Sequence, residues 1–241
     1  MSAGERFERL LRFAASQGAA ADGLDEARLF ARIVDAGAAA LSTGSVALTL
    51  RTAPSHLQLV GASEGIAARV EDLQMTLGEG PTFEAYASYG PVLVADLGSV
   101  ERGRWPGFEA ALTAADAGSL SALPLQLGAI RLGVLSVYRP SAGLLSRADL
   151  AAALEVADAV TTLLLTSGRA APSDEAIVAW LAGSGTSNEI NQATGMVIAQ
   201  LGITAEEAYA RLRAFAFSSE RSLSDVALDV VQRRLRFADA G

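Results

Sequence analysis

The chain predicts an α+β fold: an antiparallel sheet flanked by helices, followed by a separate all-α three-helix bundle. Two observations point there. Upstream, the order is helix, two strands, a helical middle, a strand, a long loop, a hairpin and a helix, with strands next to strands rather than in strict alternation with helices. Downstream, residues 187–237 carry three short helical stripes in succession, each with its own start or stop signal.

In chain order, residues 3–16 read as a short amphipathic helix with Phe7, Leu10, Leu11 and Ala14 on one side. It either docks on the next domain or mediates dimerisation. Small residues 19–23 form a linker, so residues 1–23 are an N-terminal helix and linker. A helix over 24–41 points Leu29, Ile33, Gly37 and Leu41 inward. Residues 45–51 alternate, with Val46, Leu48 and Leu50 on one face, and 57–61 pair with them across a Thr52-Ala53-Pro54-Ser55 turn. A helical piece over 65–75 follows, then Leu77-Gly78-Glu79-Gly80-Pro81, a segment 83–89, and an apolar run 92–94. Residues 119–127 and 132–138 make a late hairpin. Ser146, with Asp149 three residues on, starts a closing helix carrying Leu150, Leu154, Ala157, Val160 and Leu164.

Residues 168–186 hold the domain boundary: loops around a short helix, 174–182, with Ile177, Val178, Trp180 and Leu181. The bundle comes next. Its first helix, 188–201, is striped by Ile190, Ala193, Val197, Ile198 and Leu201 and stopped by Gly202. The second opens at Thr204 with Glu207 completing a capping box, and carries Ala208, Leu212, Phe215 and Ala216. The third opens at Ser222 and carries Leu223, Val226, Ala227, Val230 and Val231.

Composition excludes several functions. The 241 residues suit one large or two modest domains, and at 51% apolar they can bury a proper core. No run has the length and hydropathy of a membrane span or a signal peptide, so a soluble cytoplasmic protein is expected. With no cysteine, disulfides, thiol catalysis and cysteine metal sites are out. His56 is the one histidine, which disfavours a histidine triad or a multi-histidine metal site. All nineteen basic residues are arginine, so no lysine serves phosphoryl transfer or a Schiff base. No enzyme is expected and no cofactor is required.

The net charge of −8 argues against binding nucleic acid by charge alone. Residues 187–237, however, balance Arg211, Arg213, Arg221, Arg233, Arg234 and Arg236 against six acids, so the acidic excess lies upstream. Several of those acids sit in first helical turns, where they counter the helix dipole.

Two family resemblances rest on particular motifs. Gln192-Ala193-Thr194-Gly195, Ala208-Tyr209-Ala210-Arg211-Leu212-Arg213 and Leu223-Ser224-Asp225-Val226-Ala227 together resemble the ANTAR domain, an RNA-binding antiterminator module. The likeness spans essentially all of 187–237. Many members carry lysine where this chain has Thr194; where that lysine touches RNA in relatives, the resemblance implies a weakened or altered contact here. Upstream, Leu77-Gly78-Glu79-Gly80-Pro81, Gly90 to Leu97, Arg104-Trp105-Pro106-Gly107-Phe108 and Leu132 to Tyr138 resemble a GAF domain over 24–167. That resemblance implies a small-molecule sensing or dimerisation module.

Each candidate residue carries a functional and a plain reading. Phe83, Tyr86, Trp105 and Phe108 either line a ligand pocket of the GAF-like domain or pack as core and lid. Glu79 and Glu84 are near in sequence, but solvated loop charges explain them. Gly78-Glu79-Gly80-Pro81 lacks the spacing of a phosphate loop and reads as a turn. His56 is a hairpin residue. In the bundle, Gln192, Thr194, Gly195, Tyr209, Arg211, Arg213, Arg233 and Arg234 are the candidates for RNA contact. Gly195 costs helix stability and so admits close approach, of a neighbouring helix or of RNA. Arg211 and Arg213 point about 200° apart, so one faces solvent or RNA while the other stacks or pairs within the bundle. Tyr209 is a stacking residue or a half-buried bundle residue. Arg233, Arg234 and Arg236 suit phosphate contact or a helix C-terminus.

The expected function is therefore a transcription antitermination regulator binding hairpins in nascent RNA, as a homodimer, under control of a small molecule. The alternative is a ligand-gated protein–protein module without RNA.

Overall fold

The computed structural model describes residues 2–3, 5, 7–9, 26–41, 45–53, 56–100, 103–113, 118–167 and 188–237. Helix α1 (Glu26–Leu41) leads into a hairpin of β1 (Ser45–Ala53) and β2 (His56–Ala62). Then come α2 (Ile66–Leu77), α3 (Pro81–Ser88), β3 (Val92–Val94), a 3-10 turn at Leu97–Ser99 and α4 (Pro106–Ala111). Strands β4 (Ser119–Leu127) and β5 (Ile130–Arg139) and the long helix α5 (Arg147–Ser167) complete the first domain. The bundle is α6 (Asn188–Leu201), α7 (Ala205–Ser218) and α8 (Leu223–Val231).

The five strands pair antiparallel throughout in the order β2-β1-β5-β4-β3. Alternation along each strand gives the sheet two apolar faces. Val46, Leu48 and Leu50 of β1 join Leu135 and Val137 of β5 beneath α1 and α5. Phe7 and Ala3 are buried in this same cluster, while residues 10–16 of the expected N-terminal helix and the linker 19–23 lie outside the described residues. Ala47, Leu120, Ala122, Val134 and Tyr138 face the other way, against α2, α3 and α4.

Local signals act where expected. Gly78 ends α2 in the left-handed conformation (φ 68°), and Pro81 occupies the first turn of α3. The Ser146 hydroxyl accepts the Asp149 N–H at 3.1 Å. Thr204 and Glu207 form a complete capping box, and Ser222 caps α8. Buried Ala193, Val197, Ala208, Leu212, Ala216, Leu223, Val226, Ala227 and Val230 form the bundle core.

The structure departs from expectation at four places. The β1–β2 turn is tighter: Thr52 and Ala53 continue β1, and Ala53 pairs with His56. Strand β5 starts two residues earlier, at Ile130. Helix α2 runs on to Leu77. The long loop before the late hairpin contains α4, whose six residues are too few to show a helical period. The linker 168–186 and its short helix lie outside the described residues.

Candidate nucleic-acid interface

The bundle does not stand free of the sheet domain. It docks on the last turn of α2 through an exchange of helix ends. A helix leaves its last carbonyls and first N–H groups without partners inside the helix. Arg213 on α7 donates from Nε to the Thr76 carbonyl at 3.1 Å and from Nη2 to the Leu77 carbonyl, closing the end of α2. In return the Thr76 hydroxyl accepts the Leu223 N–H, the first of α8, at 3.1 Å. Ser224 donates to Asp72 at 3.2 Å alongside. Gly78 serves this seam twice: it supplies the left-handed turn, and a Cβ there would collide with the Arg213 guanidinium.

At the edge of the sheet His56 meets Tyr209, ring centroids 4.3 Å apart and nearly perpendicular. Burial holds the His56 imidazole below its usual value, with Arg213 adding to the effect and Glu206 opposing it. Burial likewise raises the Tyr209 hydroxyl. Around this pair a cavity of about 240 Å³ is lined by residues including Thr52, Asn191, Thr194, Gly195 and Tyr209. A second cleft, of about 520 Å³, lies beside the docked helix ends, between Leu73 and Leu77 of α2 and Phe217 of α7.

The predicted RNA residues thus divide into two sets. Thr194, Gly195, Tyr209 and Arg213 face the seam with the sheet domain. Gln192, Arg211, Arg233 and Arg234 are exposed, as is Gly195 within the first set. Arg213 is a correction: it pairs with the sheet domain, not within the bundle. Thr194 spends its hydroxyl on the Ile190 carbonyl at 2.7 Å. Gly195 is not needed for helix packing, since a Cβ there would meet nothing within 4 Å. From either end of α8, Arg234 and Arg221 both bond Asp229, at 2.7 and 2.6 Å, and with Arg221 foremost they hold that carboxyl below its usual range.

In the sheet domain, Phe108 and Trp105 are core residues in edge-to-face contact, 6.1 Å between centroids. Phe83 and Tyr86 are half-buried. Glu79 and Glu84 do not meet: Glu79 accepts the Phe108 N–H at 2.7 Å, and Glu84 pairs with Arg104.

Sequence reasoning missed Glu71. It is fully buried at the centre of the face under α2. Tyr138 and Thr82 donate to its carboxyl at 3.0 and 2.9 Å, and Thr49 at 3.3 Å. Ser136 bonds Thr82 within the same group, at 3.2 Å. Burial pushes the carboxyl up, against the pull of these hydroxyls. The available signal was a charged residue at a core position, beside Val70 and one turn before Met75. The network pins α2, the helix on which the bundle docks, to β1, β5 and α3. Among the described residues no cluster of His, Asp and Glu suits a metal ion, and no helix is long and apolar enough to cross a membrane.

Residues 185–231 match the model of the ANTAR domain. No curated protein matches the chain. Among solved structures, the chain is similar to a domain of a protein described as a two-component sensor histidine kinase from Sinorhizobium meliloti. The TM-score is 0.47 at 16% identity, over 61% of this chain and 93% of that one. It is also similar to the GAF domain of a phosphoenolpyruvate-protein phosphotransferase from Coxiella burnetii. There the TM-score is 0.42 at 15% identity, over 68% of this chain and 98% of that one.

Proposed function

We propose that this chain is a non-catalytic, cytoplasmic regulator of transcription. Its ANTAR domain binds RNA hairpins in nascent transcripts and prevents a terminator from forming. Its upstream domain senses a small molecule or holds two chains together. The observation that carries this reading is the ANTAR match over 185–231. The exposed Gln192, Arg211, Arg233 and Arg234 supply a starting face. Arginine suits it, through bidentate phosphate contact and stacking on splayed bases.

Two states follow from the division of the candidate residues. In the docked state Tyr209 and Arg213 are engaged by the sheet domain, while the outer set and Gly195 are exposed. Release of the bundle frees the inner set. A ligand or a dimer contact that favours one state over the other regulates RNA binding by that difference in affinity. In a dimer, two weak bundles bind tandem hairpins far more tightly than one.

The test is a titration of the full chain against a tandem-hairpin RNA at two salt concentrations, with Arg211→Ala alongside. Binding that weakens with salt and falls in the variant supports the reading. A folded protein that binds no RNA at low salt sinks it, and favours a ligand-gated protein–protein module. For that rival, Phe217 is the available anchor, 62% exposed beside the docked seam.

A further inference from the structure

One exposed group in the sheet domain is explained neither by the core nor by the docked seam. Tyr89 follows α3 and is 48% exposed. Its backbone is left-handed, φ 61°, at the position after a helix where glycine is favoured. A bulky residue there is unusual, and such conformations persist where the surroundings hold them. Here the surroundings do. The Gln126 amide donates to the Tyr89 carbonyl at 3.1 Å. The Arg131 guanidinium lies 4.7 Å from the Tyr89 ring centroid and 4.8 Å from that of Tyr86. Arg131 also reaches the Tyr86 carbonyl, at 3.5 Å. Two tyrosines and an arginine are thus locked into one stack with Tyr89 outermost.

The position of this stack matters as much as its chemistry. Strand β5 pairs with β1 so that Gly133 lies opposite Leu50. Arg131, two residues before Gly133, and Thr52, two residues after Leu50, therefore lie at the same end of the sheet. Thr52 lines the cavity shared with Gly195 and Tyr209 of the bundle. The stack accordingly sits at the end of the sheet that the first two bundle helices approach.

We propose that Tyr89, backed by Arg131 and Tyr86, is a stacking platform for an unpaired base of the hairpin RNA, extending the RNA surface from the bundle onto the sheet domain. The inference rests on the RNA-binding reading above. An aromatic face accepts any base, and an arginine always carries its charge to draw the adjoining phosphate. Three side chains already held together lose little freedom when a base arrives.

The experiment uses the full chain and a synthetic tandem hairpin with an unpaired adenine in each loop, beside the same RNA made abasic at those positions. Three variants are compared: Tyr89→Ala, Tyr89→Phe and Tyr89→Gly. The platform predicts that Tyr89→Ala and Tyr89→Gly lose about tenfold or more in affinity for the adenine loop. Tyr89→Phe, which keeps the ring, binds as the parent does. All four proteins bind the abasic RNA equally. Tyr89→Gly guards against misfolding, because glycine takes the left-handed backbone without strain and should melt no lower than Tyr89→Ala. A parent that binds the hairpin while Tyr89→Ala and Tyr89→Gly bind it equally well overturns the platform alone. So does a deficit that persists undiminished on abasic RNA. A parent that binds no hairpin at low salt overturns both the platform and the RNA reading.

Discussion

Arg213 shows how one side chain can serve two structures. Its guanidinium closes the carbonyl end of α2, and by doing so it is withheld from any other partner. Hydrogen bonds from a charged donor contribute about 1.5–3 kcal/mol. Arg213→Ala is therefore expected to loosen the seam by about that amount. Amide exchange at Gly78, whose N–H bonds the Gln74 carbonyl at 2.7 Å, should quicken about tenfold or more. Arg213→Lys should not restore it, because an ammonium cannot present the planar fork that spans two carbonyls. Glu71 makes a second prediction. The folded protein holds the Glu71 proton more tightly than the unfolded chain, whose carboxyl titrates near its ordinary 4.5. The contribution to stability is full below that value and declines as pH rises through the folded value. The denaturation midpoint should fall between mildly acid and mildly alkaline pH. Glu71→Gln, uncharged at every pH, should flatten that slope; an unchanged slope would assign it to other groups.

At the scale of elements, the bundle was the most legible part of the chain. Each of its helices carries both a stripe and a terminal signal: α6 ends just before Gly202, and α7 and α8 start just after Thr204 and Ser222. The capping box on α7 is exposed and local. Thr204→Ala should cost about 0.5–2 kcal/mol of bundle stability, read as a lowered melting temperature, with little effect on the sheet domain. The sheet was legible through the alternation in β1 and the late hairpin. The helix α4 was not, because six residues opened by Pro106 carry a start but no period. The seam was invisible for a different reason. Its main acceptors are backbone carbonyls at Thr76 and Leu77, which no side-chain pattern reports. Its donor, Arg213, is indistinguishable in sequence from Arg211. Gly78 was read correctly as a turn, yet the room it makes for Arg213 belongs to a contact 135 positions downstream in the chain.

For the whole molecule, charge decides the character of binding. The chain is net −8 and the bundle nearly neutral, so RNA affinity cannot come from a broad basic surface. Within the bundle the exposed arginines are Arg211, Arg233, Arg234 and Arg236, and Arg234 is already paired to Asp229. The plot of log affinity against log salt should have a slope of about −2 to −3 for one bundle, and roughly twice that when two bundles bind together. A much steeper slope would mean that other cations join the interface. Helix α2 is tied at its middle to the sheet by Glu71 and at its end to the bundle by Thr76 and Leu77. A mutational scan for regulation should trace a line through the molecule, from Ser136 and Tyr138 through Glu71 and Thr76 to Arg213. Along it, tolerance to substitution would be low at positions that touch neither RNA nor effector.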